Sequence, residues 1–293
     1  MKIGLVNLEP KIVNTALMQI SQYHKSRGDS VDWWSPLEHR QFDHVYCSSL
    51  FDFTDKRGIP ETVICGGTGF GLDNRLSQVI EACDYDYSIY PDCDYSIVWF
   101  SRGCIRNCPY CVVRKKEGYL HPVKPKSLNP AGKHIKVMDN NFFASPKWHE
   151  AYRFLKSCGQ PVEFSSGIDI RLINDRQGRA LSKMKIYGQI HTAWDNPKDD
   201  LIEKFKVLLK HIKPYKIMCY VLIGYWSTPE EDLYRVEKLR EMKIDPFVMP
   251  YNKSDPYQNR FARWVNFKAI FKSVAWKEYG QKITAEPAQG RLF

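Results

Sequence analysis

Short apolar runs, each about as long as a strand, recur along this chain with enough sequence between them for a return crossing. No other feature restricts the fold more. Early in the chain the runs are Lys2–Leu8, Ser30–Trp34, His44–Cys47 and Thr62–Cys65, with a helical pattern over Ala16–His24 that stops before Gly28. Such alternation predicts a small parallel sheet of doubly wound, Rossmann-like type. Beyond an acidic, tyrosine-rich stretch, Asp84–Asp94, the spacing lengthens. Runs at Ser96–Phe100, His134–Met138, Val162–Phe164, Ile186–Thr192, Ile217–Ile223 and Pro246–Met249 alternate with amphipathic stretches at Trp148–Ser157, Asp200–Ile212 and Glu230–Lys243. Six strands with intervening helices predict an open or partly closed parallel barrel of (β/α)6 TIM type, with its chemistry at the C-terminal strand ends. The expected class is α/β, divided into a Rossmann-like domain over 1–94, a barrel over 95–250 and a basic, aromatic helical extension over 251–293.

Composition narrows the setting. With 43% hydrophobic and 26% charged residues the chain can bury a core, and no apolar run approaches the roughly 18 residues that span a bilayer. No basic flank with an apolar stretch marks a secretion signal, so the expectation is a cytoplasmic protein without membrane partners. Nine cysteines in such a setting are not a disulfide framework. Six of them, Cys47, Cys65, Cys83, Cys93, Cys158 and Cys219, are scattered and read as ordinary small buried residues. Charge is uneven: residues 1–100 carry 8 Lys and Arg against 14 Asp and Glu, whereas 101–293 carry 35 against 19. The excess suits an anionic partner such as nucleic acid, or simply a solvated basic surface.

The remaining three cysteines lie in Ser101-Arg102-Gly103-Cys104-Ile105-Arg106-Asn107-Cys108-Pro109-Tyr110-Cys111, just past the first barrel strand. Three soft ligands on one short loop suit iron–sulfur or zinc. A structural zinc site would want a fourth ligand. The nearest candidates are His121 and Cys93, neither at a usual zinc spacing.

Cys104, Cys108 and Cys111, with the aromatic Tyr110 between the last two, resemble the signature of the radical S-adenosylmethionine enzymes. The resemblance implies a 4Fe-4S cluster held by the three cysteines, its fourth iron chelated by S-adenosylmethionine. Reductive cleavage of that cofactor would yield a 5′-deoxyadenosyl radical that removes a hydrogen atom from substrate. It also implies an electron donor such as flavodoxin or ferredoxin. Zinc and a plain electron-transfer cluster stay open as alternatives.

Carried along the other strand ends, the resemblance marks further residues. Asp139 or Asn140 would accept a hydrogen bond from the cofactor's amino group, or form an Asx turn. Asp169 and Arg171, on one face if the strand continues, would clamp the cofactor or pair with each other. Asp195 would touch ribose or substrate, or cap a helix. Ile223, Gly224 and the backbone of Tyr110 would hold adenine, although an apolar strand is usually core.

The opening domain resembles the cobalamin-binding domain of one branch of the family, whose cofactor would sit by Gly66-Gly67-Thr68-Gly69-Phe70-Gly71; a plain tight turn is the simpler reading of that loop. No Asp-x-His-x-x-Gly motif occurs, so a degenerate scaffold is favoured over a cobalamin site. In the tail, Tyr257, Phe261, Trp264, Phe267 and Phe271 follow helical spacing, and most of them are expected to pack against the barrel. The interleaved Lys253, Arg260, Arg263, Lys268, Lys272 and Lys277 would face solvent or phosphates. The expected function is a radical reaction on a nucleic acid or nucleotide. The alternatives are a radical reaction on a small molecule or peptide, including cobalamin-assisted methylation, and a non-catalytic metal-stabilised nucleic-acid-binding module.

Overall fold

A computed structural model describes residues 1–35, 37 and 41–279. It forms two compact units, Met1–Ser166 and a second that begins at Gly167. Among the described residues no helix is long and apolar enough to cross a membrane.

In the first unit, strands β1 (Lys2–Asn7), β2 (Ser30–Trp33), β3 (His44–Ser48) and β4 (Ile64–Gly66) form a parallel sheet of order β2-β1-β3-β4. The β1–β2 crossing is helix α1 (Thr15–Lys25), started by Asn14, whose side chain accepts from the amides of Ala16 and Leu17. Leu17, Met18 and Ile20 of α1 bury against Ile3 and Leu5, each contributing roughly 1.5–3 kcal/mol. No helix covers the β3–β4 crossing. There the buried Glu9 carboxylate accepts hydrogen bonds from Ser49 Oγ (3.0 Å), Leu50 N (3.0 Å) and Thr54 Oγ1 (2.6 Å). Burial pushes its pKa up, but these bonds, Thr54's first, hold it below the usual carboxylate range.

The acidic, tyrosine-rich stretch is firmly packed. The short helix α2 (Gln78–Ala82) precedes it, and Asp86 accepts from Ser21 Oγ (2.6 Å) and pairs with Lys25 (2.7 Å). The Tyr87 hydroxyl accepts from the amide of Ile97 at 2.9 Å, in strand β5 (Tyr95–Val98). A hairpin of β6 (Ser101–Arg102) and β7 (His121–Pro122) brackets helix α3 (Val113–Glu117). Strand β8 (His134–Val137), helix α4 (Trp148–Cys158) and strand β9 (Val162–Phe164) complete a second parallel sheet, β5-β8-β9.

The second unit repeats the alternation: α5 (Asp175–Ser182), β10 (Ile190–Ala193), α6 (Ile202–Leu209), β11 (Ile217–Ile223), α7 (Pro229–Glu241), β12 (Asp245–Pro250), α8 (Pro256–Asn266) and α9 (Lys268–Ser273). Its strands form a parallel sheet, β10-β11-β12. Capping boxes start α5 at Asn174 with Gln177 and α7 at Thr228 with Glu231. The fold is therefore α/β with parallel sheets, and all six strands of the longer-spaced region are present as two sets of three. No closed barrel occurs among the described residues.

In the tail, the helix expected to run through the aromatics breaks at Phe267, which is exposed. Phe261, Trp264 and Phe271 are buried, and Trp276 packs against the first two. Most of these aromatics thus lie inward: three are buried and Tyr257 is half-buried, while Phe267 is exposed. Residues 280–293 of the expected extension lie outside the described residues.

Candidate functional site

The cysteine loop leaves the chain at the C-terminal side of β5 and is tied at its base before any metal is considered. Gly103 has φ +75°, and a Cβ there would stand 2.3 Å from the carbonyl oxygen of Tyr119. Only glycine allows the two arms to pass so closely. Glu117 then locks the base: one carboxylate oxygen pairs with Arg102 at 2.6 Å, and the other accepts from the amide of Gly103 (2.9 Å) and from Asn140 Nδ2 (2.8 Å). Burial raises the pKa of this carboxyl, but Arg102 and the Gly103 amide outweigh it and keep the group low and charged.

Within the loop, the amide of Cys104 donates to the carbonyl of Gly118 at 3.3 Å, and Arg114 donates to the Cys104 carbonyl at 3.1 Å. The amide of Arg106 donates to Cys104 Sγ at 3.3 Å, and that of Cys111 to the Cys108 carbonyl at 3.0 Å. None of the three cysteines is in a disulfide, and they and Tyr110 are half-buried. Residues 102 to 117 carry five cations, Arg102, Arg106, Arg114, Lys115 and Lys116, and a single carboxylate, Glu117, a positive balance that suits an anionic thiolate–iron centre. The donor set fits an iron–sulfur cluster by chemistry and by its place on one anchored loop. Among the described residues no three His, Cys, Asp or Glu side chains are already drawn together as a ligand group, so the Cys104–Cys111 arc would have to close round the metal.

Among the described residues neither candidate fourth ligand is drawn into a ligand group with that arc. Cys93 is buried before the start of β5, away from the strand end that carries the loop, and its thiol donates to the Tyr95 carbonyl at 3.4 Å. His121 is exposed in β7, its Nδ1 2.9 Å from the Tyr119 carbonyl.

Asp139 and Asn140 follow β8, and both support the loop base. The Asp139 carboxylate is buried and accepts from the amide of Phe100 (2.8 Å) and the hydroxyl of Ser101 (2.5 Å). Burial nevertheless pushes its pKa up to about 6. A carboxyl raised on folding binds more protons folded than unfolded between about 4 and 6, so it lowers stability as pH climbs through that window. Asp139→Asn is expected to lack this decline, and urea midpoints at several pH values test it; parallel profiles for the two proteins would refute it.

The remaining expected residues belong to the second unit. The third strand does not continue as expected: it ends at Phe164, and Asp169 instead heads a 3-10 turn, Ile170–Leu172, accepting from the amide of Arg171. The two side chains form an ion pair at 2.7 Å, with Asp199 3.4 Å from Arg171. Strand alternation therefore does not relate them. Asp195 is no helix cap, since α6 starts at Ile202; its carboxylate accepts from the amide of Leu222 at 3.1 Å. Ile223 is fully buried.

Gly224 has φ +75°, and a Cβ there would fall 2.1 Å from the side chain of Gln258, whose Oε1 accepts from the amide of Asn252 at 2.9 Å. Packing alone thus accounts for this glycine. Gly224→Ala is expected to cost about 1–3 kcal/mol from backbone strain, measurable by urea denaturation.

Two residues went unmarked in the sequence. Glu117 is one. The other is Arg235 in α7, fully buried, which donates to the carbonyls of Trp194 (2.7 Å), Asp195 (2.9 Å) and Leu222 (3.1 Å) and pairs with Asp232 at 2.7 Å. It holds the C-terminal ends of β10 and β11 in place. No protein-family model matches the chain, and no curated protein matches it.

Proposed function

We propose that this chain is a radical S-adenosylmethionine enzyme built on a Rossmann-like domain and a partial (β/α)6 barrel. The observation that carries the reading is a C-x3-C-x2-C set of cysteines, none in a disulfide, on one anchored loop following the first strand of a parallel α/β sheet. Cys104, Cys108 and Cys111 would hold a 4Fe-4S cluster, which when bound supplies the electron that cleaves S-adenosylmethionine and so generates the radical. Glu117, Arg102 and Asp139 keep the base of the loop fixed, and the backbone of Tyr110 would hold adenine. A flavodoxin or ferredoxin would supply electrons, and the positive loop suits such an acidic donor. The basic balance of residues 101–293 supports a nucleic acid or nucleotide as substrate.

Anaerobic reconstitution with iron and sulfide is expected to load about four irons per chain and, with a strong reductant, to release 5′-deoxyadenosine from S-adenosylmethionine. Bound zinc without nucleoside product would instead identify a metal-stabilised binding module.

A further inference from the structure

The first unit contains a cavity of about 370 Å³ that the cysteine chemistry leaves unused. It opens at the C-terminal ends of β3 and β4, beside the start of α1, where the strand order reverses about β1. In open parallel sheets that crevice is where ligands sit, because crossings on opposite faces leave a gap there. The volume lies within the range of small-molecule sites.

Its lining includes two kinds of residue. Ile20 from α1, Ile64 from β4, and Leu76 and Ile80 from the segment that follows are apolar. Arg75, Arg102 and Lys116 are cationic. Arg102 is already paired with Glu117. Arg75 and Lys116 form no ion pair among the described residues and instead bind backbone carbonyls, Arg75 those of Leu72 and Lys116, and Lys116 that of Asn74 at 2.7 Å. These contacts bring two cations together, and burial followed by the neighbouring Arg75 pulls the Lys116 pKa down. An anion between them would relieve that cost. Glu81 is the carboxylate of the lining among the described residues, on its exposed rim. The first amides of α1 are already capped by Asn14, so the side-chain cations must carry the negative charge. Ser48, Thr68 and Ser77 also line the cavity, and the Ser77 hydroxyl is not used to cap α2.

We propose that this cavity binds a nucleoside monophosphate, its phosphate against Arg75 and Lys116 and its base on the apolar floor of Ile20, Leu76 and Ile80. The choice of a nucleotide among phosphate-bearing molecules rests on the proposed function. The cavity, its charge and its apolar floor do not. Because Lys116 belongs to the helix that follows the cysteine loop, an occupant would touch the element on which that loop closes.

The test is calorimetric titration of the full chain with the 5′-monophosphates of adenosine, guanosine, cytidine and uridine, alongside the four nucleosides, inorganic phosphate and hydroxocobalamin. At least one monophosphate is expected to bind, with its nucleoside and inorganic phosphate each weaker by roughly tenfold or more. Arg75→Ala is expected to weaken binding by a similar factor. Gly66→Leu offers a second variant: a Cβ at Gly66 meets nothing within 4 Å, so the leucine side chain would enter the cavity without disturbing the fold, and binding should be lost with circular dichroism unchanged. No binding of any monophosphate would overturn the proposal, as would binding indifferent to both variants, or a Gly66-dependent site that takes only inorganic phosphate or hydroxocobalamin. A chain with serine at Cys104, Cys108 and Cys111 should still bind the nucleotide. A failure to form 5′-deoxyadenosine therefore sinks the radical reading and leaves this site standing, and the reverse result separates them equally well.

Discussion

Serine at Cys104, Cys108 or Cys111, introduced singly, is expected to reduce both bound iron and 5′-deoxyadenosine release to background. A hydroxyl is a hard, weakly acidic donor and a poor replacement for a thiolate on iron. With three protein ligands, each loss leaves a centre with too few sulfurs to persist. The same variants should keep the thermal midpoint of the iron-free chain unchanged. The loop base is held by Glu117, Asp139 and the close passage at Gly103, none of which involves sulfur. A structural zinc site would behave oppositely, since there metal binding and folding are one event. Iron analysis together with melting curves distinguishes the two, and a serine variant that unfolds the metal-free chain would contradict this account.

Arg235→Leu is the second large effect. Arg235 and Asp232 are both fully buried, and burial pushes the aspartate pKa up and the arginine pKa down. Removing the arginine strands a buried carboxylate and leaves the carbonyls of Trp194, Asp195 and Leu222 without their donor. The expected loss is about 3–5 kcal/mol in urea denaturation. Replacing both partners with leucine should recover part of it, because the uncompensated charge disappears. The exposed Arg57–Asp55 pair, with side chains 91% and 59% accessible, provides a control expected to show no measurable change. Equal losses at the two sites would show that Arg235 acts as packing and not through its charge.

How much of this was legible in the sequence depended on how local the cause was. Strand β11 matches its apolar run at both ends, and α7 lies within two residues of its pattern, because burial period and a capping box are written in adjacent residues. The stretch after Phe164 alternates as a strand does, whereas Gly167 at φ +80° and the Asp169 turn end it. The helix break at Phe267 was hidden by continued aromatic spacing. Glu117 and Arg235 could not be marked, since their partners lie 14 to 23 and up to 41 residues away in sequence. Gly224 was marked for a cofactor, yet Gln258, 34 residues on, accounts for it.

The closure at Glu117 has a consequence for how such a protein would be maintained. With the ends of the loop pinned by a carboxylate, the segment between them can open and reshape while the sheets beneath keep their register. On the function proposed above, loss of iron to oxygen would then be a local injury, repairable by resupply, and the emptied chain would remain a competent recipient instead of a substrate for proteolysis.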